Sequence, residues 1–477
     1  MISKQQKGIN PLGCAPIGAL LLRFALPSVV GMLVNAIYNI VDQIFIGRGV
    51  GYLGNAATTI AFPIVTIILA ISTLLGAGGS AYAALKLGEH DEEAAELTCG
   101  NVFVLSVLSG VILAIVGLLS LDPLVKMFGA SENTLEYARQ YTSIILLAAP
   151  FNVLGVSMSN MARTDGNPNL SMYSIVVGAL LNVALDPLFI FVFHWDVAGA
   201  AIATAISQVV SAVILVVYFT KKSKMRLHRR TMRLNAGICR SMSILGISSC
   251  VLQLASTVLN IVLNNVLVTY GNQSEVGGDI ALSAMGIVMK ISMIIISVCI
   301  GIGVGSQPIL GYNRGARQLK RVRSAYLLAL CVSVSVTVVG WILCETIPEQ
   351  ILLLFGKENQ TFMDFAVRSM RIFLGGIFLA GAQIVTTSYF QATGQPLKAN
   401  FMSTLRQVLL LIPLLFILPR FMGLDGVLYA GLIADLATGA VVVLVFSIEL
   451  IGLTQQIVKE EKTASVCSVA NGKISKK

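Results

Sequence analysis

Charge is what this sequence has little of. Only 12% of its 477 residues are Asp, Glu, Lys or Arg, about half the share of an ordinary soluble domain. Histidine is scarcer still: His90, His194 and His228 lie scattered between apolar stretches, and neither an H-E-x-x-H nor a G-x-x-x-x-G-K-[ST] pattern is present. The chain therefore lacks the signatures of a zinc peptidase and of direct nucleotide drive, and a non-enzymatic role with no cofactor is expected. Cysteine is dispersed: Cys14, Cys99, Cys239, Cys250, Cys299, Cys331, Cys344 and Cys467 form no C-x-x-C pair. Neither a disulfide framework nor a zinc site follows, and the thiols read as small apolar residues.

What fills the space is hydrophobic. Apolar residues make up 56% of the chain and the mean hydropathy is +0.84, a composition that belongs in a bilayer. Stretches of roughly 20 apolar residues, enough to cross about 30 Å of hydrocarbon, recur about twelve times. Their centres fall near Ala36, Val65, Val107, Ile145, Val183, Ala205, Val258, Met293, Val334, Phe378, Leu411 and Val441. The expected fold is an all-α polytopic membrane protein. The first stretch carries Arg23, Pro27, Asn35 and Asp42 and lacks the short apolar core and small-residue cleavage site of a signal peptide, so it reads as a permanent helix.

The formal net charge of +10 could point to nucleic acid, but the bases concentrate in short loops between apolar spans, where the positive-inside rule accounts for them. Lys221 to Arg233 is the clearest such loop, and Arg314, Arg317, Lys320, Arg321 and Arg323 form a second one two spans later, hence on the same side. The loops around Glu275 and from Glu345 to Glu358 carry more acid than base and fall opposite. Both termini are then expected in the cytoplasm, in a multi-pass protein of the cell membrane whose partners are lipid and small amphipathic substrates, with no nucleic acid. A monomer is expected.

The chain also resembles itself under a shift of 303 − 76 = 227 positions, the mark of an internal duplication. Gly76 pairs with Gly303, Gly88 with Gly315, Phe128-Gly129 with Phe355-Gly356 and Gly199 with Gly426, and Gly166-Asn167-Pro168 pairs with Gly394-Gln395-Pro396 after one added residue. Six spans per half give two halves that enter the membrane in the same direction, related by a pseudo-twofold axis along the membrane normal. The expected division is an amino-terminal lobe at 1–220, a basic cytoplasmic linker at 221–240, a carboxy-terminal lobe at 241–454 and a disordered tail at 455–477. Such a chain places its site between or within the lobes near the midplane.

An ionised side chain inside hydrocarbon costs at least about 2.5 to 3.5 kcal/mol, so each intramembrane acid needs a reason. In the first span Asn35, Tyr38, Asn39 and Asp42 recur at helical spacing as one polar stripe, which must face the bundle interior. In the fifth span the only strongly polar central residues are Asn182 and Asp186, four apart, and Pro187 follows directly, predicting a bend. In the sixth, Thr204 and Gln208 repeat the spacing. Two carboxylates, an amide oxygen and a hydroxyl suit a small hard cation such as sodium and equally a proton, with the two acids titrating as a coupled unit if they lie close. The first span of the second half carries Gln253, Thr257, Asn260 and Asn264 but no acid. Its other intramembrane charges are Lys290, Arg406 and Asp435, read either as a structural ion pair or as the lining of a substrate path.

The segment Val34-Asn35-Ala36-Ile37-Tyr38-Asn39-Ile40-Val41-Asp42-Gln43-Ile44-Phe45-Ile46-Gly47 resembles the first-helix signature of multidrug and toxic compound extrusion transporters. Asn160 to Pro168, Asn182 to Pro187 and Gly199 to Thr204 are similar to further family motifs. The resemblance spans about residues 12 to 455, and an acid in both the first and fifth helices points to the branch of DNA-damage-inducible F-like and staphylococcal multidrug exporter A-like members. It implies a cation or proton site in the amino-terminal lobe at Asp42, Asn182, Asp186 and Thr204, a substrate path including Asn35, Tyr38, Asn160 and Gln208, and antiport, in which cation binding bends the first helix and displaces an amphipathic, often cationic, drug outward. A flippase for lipid-linked sugars from the same broader superfamily is the alternative, and would show more basic residues in its cavity.

Overall fold

A computed structural model of the chain describes residues 10–132, 134–354 and 360–474, with side chains as far as Lys459, position 52 excepted. Among the described residues there is no β-strand. Eleven helices are long and apolar enough to cross a bilayer, and a bent pair, Gln360–Phe373 and Ile377–Ala392, angled by 41°, supplies a twelfth span. In chain order the spans are α1 (Ile17–Gly49), α2 (Tyr52–Gly88), α3 (Glu92–Leu119), α4 (Leu135–Thr164), α5 (Pro168–Pro187, continued as a π-helical turn at Leu188–Val192) and α6 (Asp196–Lys221). The second half follows as α7 (Ala236–Gly271), α8 (Gly278–Gly315), α9 (Leu319–Thr346), the bent α10, α11 (Pro396–Met422, π-helical at Leu405–Leu411) and α12 (Leu424–Ile474).

The duplication is visible in the backbone. Apart from His194 and Gly129, every described residue with positive φ has a counterpart within one residue of the 227 shift: Gly51 and Gly277, His90 and Arg317, Gly166 and Gly394, Asp196 and Gly423. The turn before α5 shows why. Gly166, at φ 91°, reverses the chain without a Cβ penalty, and Asn167 caps the new helix by accepting the Leu170 amide at 3.3 Å. Pro168 then fills the first helical position, where its missing N–H is harmless.

The lobes are joined by an exchange of helix ends. The first half of α1 packs into the second lobe: Leu20, Leu21 and Phe24 share a core with Ile302, Ile309 and Tyr326. Reciprocally, Met242 near the start of α7 belongs to the core of the first lobe, with Met158, Met161 and Leu215. A Cβ on Gly78 would strike the Met242 carbonyl and one on Gly246 the Leu74 carbonyl; one on Gly88 would strike the Tyr312 carbonyl and one on Gly315 that of Leu85. Small residues thus let the helices touch backbone to backbone, the basis of packing in lipid, where the hydrophobic effect does not drive helices together. All these contacts lie toward the ends of the helices next to the basic loops, so the lobes are closed together on that side.

The linker and the tail differ from the sequence reading. Helix α7 already starts at Ala236, capped by the Asn235 side chain, because Asn101 of α3 fixes that cap: it accepts the Asn235 amide at 2.8 Å and donates to the Arg233 carbonyl at 3.2 Å. The preceding strap is docked rather than free. Ser223, Met225 and Leu227 are buried, whereas Lys222, Lys224 and Arg226 alternate with them on the exposed side. Asp165 accepts the Met225 amide at 3.3 Å and the Tyr218 hydroxyl at 2.6 Å, and its burial pushes this carboxyl above its ordinary range. Helix α12 continues past Gln455 to Ile474, where a disordered tail was expected. The run Gln455-Gln456-Ile457-Val458-Lys459 holds no Gly or Pro to stop it.

Candidate functional site

Three helices build the site. On α1, Ile46 is fully buried against Ile190 and Ala200, and Gly49 lies so close to Ile190 of the π-turn that a Cβ there would overlap it. This contact fixes the carboxy-terminal end of α1 one turn beyond Asp42. On α5, Pro187 has no N–H for the helical ladder, and the chain answers with a wider turn in which the Phe193 amide bonds to the Leu188 carbonyl at 3.0 Å. The expected bend at Pro187 is therefore a π-turn, and it leaves Asp186 as the last acid-bearing position of a regular helix. On α6, Thr204 stands across the seam.

The arrangement joins all four residues. The Asn182 amide donates to Asp186 Oδ1 at 3.2 Å and to the Thr204 hydroxyl at 3.2 Å. The carboxyl groups of Asp42 and Asp186 lie next to each other across the α1–α5 seam. Asn182 and Asp186 are 1% and 0% exposed, sealed from bulk solvent. Yet Asp42 Oδ1, Asn182 Oδ1 and Asp186 Oδ2 have no hydrogen-bond partner among the described residues. Buried polar atoms are nearly always paired, so three orphan oxygens in one place call for a ligand. With the Thr204 hydroxyl they make an all-oxygen donor set, which fits sodium or a shared proton. They do not fit a transition metal: among the described residues no three His, Cys, Asp or Glu side chains converge.

The other candidates fall differently. Tyr38, one turn before Asp42 on α1, and Tyr141 of α4 lie within electrostatic range of both acids; the sequence reading did not single out Tyr141 because a tyrosine in an apolar span carries no signal of its own. Asn35 is exposed and accepts from Asn39 at 3.1 Å through its side chain. Gln208 is half-buried, with no hydrogen bond among the described residues. Asn160 is not brought to the site. It is buried against Gly76, its oxygen accepting from Arg163 at 2.8 Å, while Arg163 also donates to Ser171 at 2.6 Å. In the second lobe Arg406 and Asp435 form a buried ion pair, and Lys290 takes no part in it.

Two like-oriented six-helix lobes with a buried carboxyl pair on one side of their junction define a polytopic membrane protein of the transporter class. The chain belongs to the MatE family, whose model matches residues 27–188 and 249–417. It is 28% identical over 428 residues to the multidrug export protein MepA of Staphylococcus haemolyticus strain JCSC1435, covering 87% of this chain and 90% of that one. It is 29% identical over 424 residues to MepA of Staphylococcus aureus strain MSSA476, covering 88% and 91%. Among solved structures, an outward-facing multidrug resistance MATE family transporter of the MOP superfamily superimposes with a TM-score of 0.88 at 24% identity, over 95% of this chain and 100% of the other. A MATE structure in complex with MaD5 gives 0.86 at 25%, again over 95% and 100%.

Proposed function

We propose that this chain is a secondary antiporter of the cell membrane that exports amphipathic, often cationic, compounds in exchange for protons or sodium. Asp42, Asn182, Asp186 and Thr204 are its coupling site. The observation that carries this reading is the pair of neighbouring carboxyls with three buried oxygens lacking partners. Both termini and the basic loops lie in the cytoplasm, so the closed end of the lobe junction is the inner one and the molecule is open outward. The named activity of the staphylococcal relatives supports export of drugs.

Coupling follows from the geometry of α1. The helix presents Asp42 to α5 and Asn35, Asn39 and Gln43 to open space, so a cation that draws Asp42 toward Asp186 also moves the face that meets substrate. A ligand bound at one face then biases the other by its differential affinity for the two positions of α1. When protons or sodium enter from outside, the acids take the cation and the substrate leaves. The flippase reading calls for a basic cavity, but Arg406 is neutralised by Asp435 and Arg163 is sealed at 3% exposure, which leaves Lys290 and, toward the two ends of α1, Arg23 and Arg48.

Dye efflux from vesicles under an imposed proton or sodium gradient tests the proposal. Asp42→Asn and Asp186→Asn should each abolish the dependence on the gradient. If export continues undiminished in both variants, the coupling site is wrong.

A further inference from the structure

The sequence left Lys290, Arg406 and Asp435 as an undivided trio of intramembrane charges. The structure divides it: Arg406 closes on Asp435, while Lys290 is exposed and has no hydrogen bond or ion pair among the described residues. An unpaired lysine about 18 Å along α8 from its first residue, at 1.5 Å per residue, cannot sit in hydrocarbon without cost.

Its surroundings say where it points. Asp279, Ser283, Gly286, Lys290 and Met293 are all exposed and follow one another at spacings of three and four, so they form one stripe of α8. With Asp279, Ser283 and Lys290 on it, this face is costly to set against lipid and suits a water-filled gap. The same stripe runs on through Ser297 to Gly301 and Gly305, where a Cβ would meet the backbone of Val29 and of Ala25 in α1. A single helical face thus passes from tight contact with the opposite lobe to open space. On α1 the exposed polar residues beyond Val29 are Asn35, Asn39, Gln43 and, in the last turn, Arg48. The two helices run antiparallel, and the register that sets Ala25 against Gly305 and Val29 against Gly301 puts Lys290 level with Ile40, within a turn of Asp42. The gap between the lobes has acids behind one wall and an uncompensated ammonium on the other.

We propose that Lys290 is a substrate-binding residue that receives the anionic group of amphipathic substrates, a carboxylate or sulfonate, so that the chain takes aromatic anions and zwitterions as well as cations. For transport this rests on the antiporter reading; for binding it does not. An anion entering the gap would give Lys290 the partner the fold withholds, while a cationic end of the same molecule would face the N-lobe wall.

Equilibrium binding to the purified full-length protein, read by fluorescence anisotropy, separates the two dependences, with fluorescein as aromatic anion and ethidium as aromatic cation. Wild type should bind fluorescein; Lys290→Gln should weaken it about 10- to 100-fold, the size of a lost charge-assisted contact, with ethidium changed by less than about twofold and Lys290→Arg close to wild type. An unchanged melting temperature would show that the exposed site tolerates the substitution. No fluorescein binding by wild type overturns the proposal, as does a Lys290→Gln variant that weakens both probes alike or neither. Normal binding of both probes combined with gradient-independent efflux would instead count against the antiport reading alone.

Discussion

The seam between α5 and α6 in the first lobe and that between α11 and α12 in the second are the same place in a duplicated fold, and they handle buried charge in opposite ways. Under the 227 shift Asp42, Asn182, Asp186 and Thr204 correspond to Thr269, Leu409, Pro413 and Gly431, while Arg406 and Asp435 correspond to Ala179 and Gln208. Neither lobe keeps the other's charges. The second lobe neutralises its acid with a cation from its own chain: Arg406, on the π-turn of α11, reaches Asp435, which fits beside Gly376 at the break in α10. The first lobe brings two acids together and, among the described residues, pairs neither with a cation. A tethered counter-charge makes a permanent structural element, whereas a missing one must come from solution and can leave again. The same architecture is therefore locked on one side and, on the reading proposed above, loadable on the other.

That contrast is broken most forcefully in the second lobe. Asp435→Leu or Arg406→Met alone strands a buried charge and should lower stability by about 3 to 5 kcal/mol, whereas the double replacement should recover most of the loss, since an apolar pair of similar volume often does as well as a buried ion pair. Thermal unfolding of the detergent-solubilised variants checks this; if the double variant is as unstable as the singles, the pair has a role besides neutralisation. In the first lobe the order reverses. Asp186→Asn removes the acid but keeps the shape and should change stability by less than about 1 kcal/mol. Gradient-driven accumulation should nevertheless fall about 5- to 150-fold, the range of a typical coupling free energy. A variant that unfolds but transports normally until it does would reverse the assignment of the two seams.

How far this could be read from the sequence depended on whether the signal was local. Asp42, Asn182 and Asp186 stood out because acids and amides are costly in hydrocarbon, and a four-residue spacing fixes a shared helical face. The twelve spans and the duplication were legible for the same reason, as patterns of residue type along one strand of text. What the sequence did not disclose were relations between distant residues. It offered no means of telling which of Lys290 and Arg406 meets Asp435, because α8, α11 and α12 come together only in three dimensions. Asn160 looked like the other motif residues but is turned into a packed cluster with Arg163 and Ser171. The strap at 222–235 read as a basic loop, since the burial of Ser223, Met225 and Leu227 depends on Asp165 and Asn101, more than 50 and 100 residues earlier.

Thr204 sharpens the first-lobe seam at smaller amplitude. Its hydroxyl is held by Asn182 at 3.2 Å and is the only contribution of α6 to the donor set. Thr204→Ala should weaken the apparent affinity for the coupling cation about fivefold, one hydrogen-bonded ligand's worth, with maximal efflux retained, whereas Thr204→Ser should behave as wild type. Cation titration of efflux distinguishes these, and an alanine variant indistinguishable from serine would remove α6 from the site.

The smallest effect concerns Asp165, which is half-buried and, unlike Asp42 and Asp186, fully served by donors. Burial raises its carboxyl above the ordinary 3.8, so the folded chain holds this proton more tightly than the unfolded one. The sign is then fixed: its favourable contribution is complete below 3.8 and is lost as pH rises through the raised folded value, because the unfolded state releases the proton first. Asp165→Asn carries no proton to lose, so the melting temperature of wild type relative to this variant should fall with rising pH over that window and level off above it. The offset at the plateau should stay within about 1 kcal/mol, since the asparagine oxygen can still accept from Tyr218 or from the Met225 amide. A relative stability that rises with pH would mean that the strap holds Asp165 as a carboxylate, and that the first lobe, like the second, keeps one of its acids permanently charged.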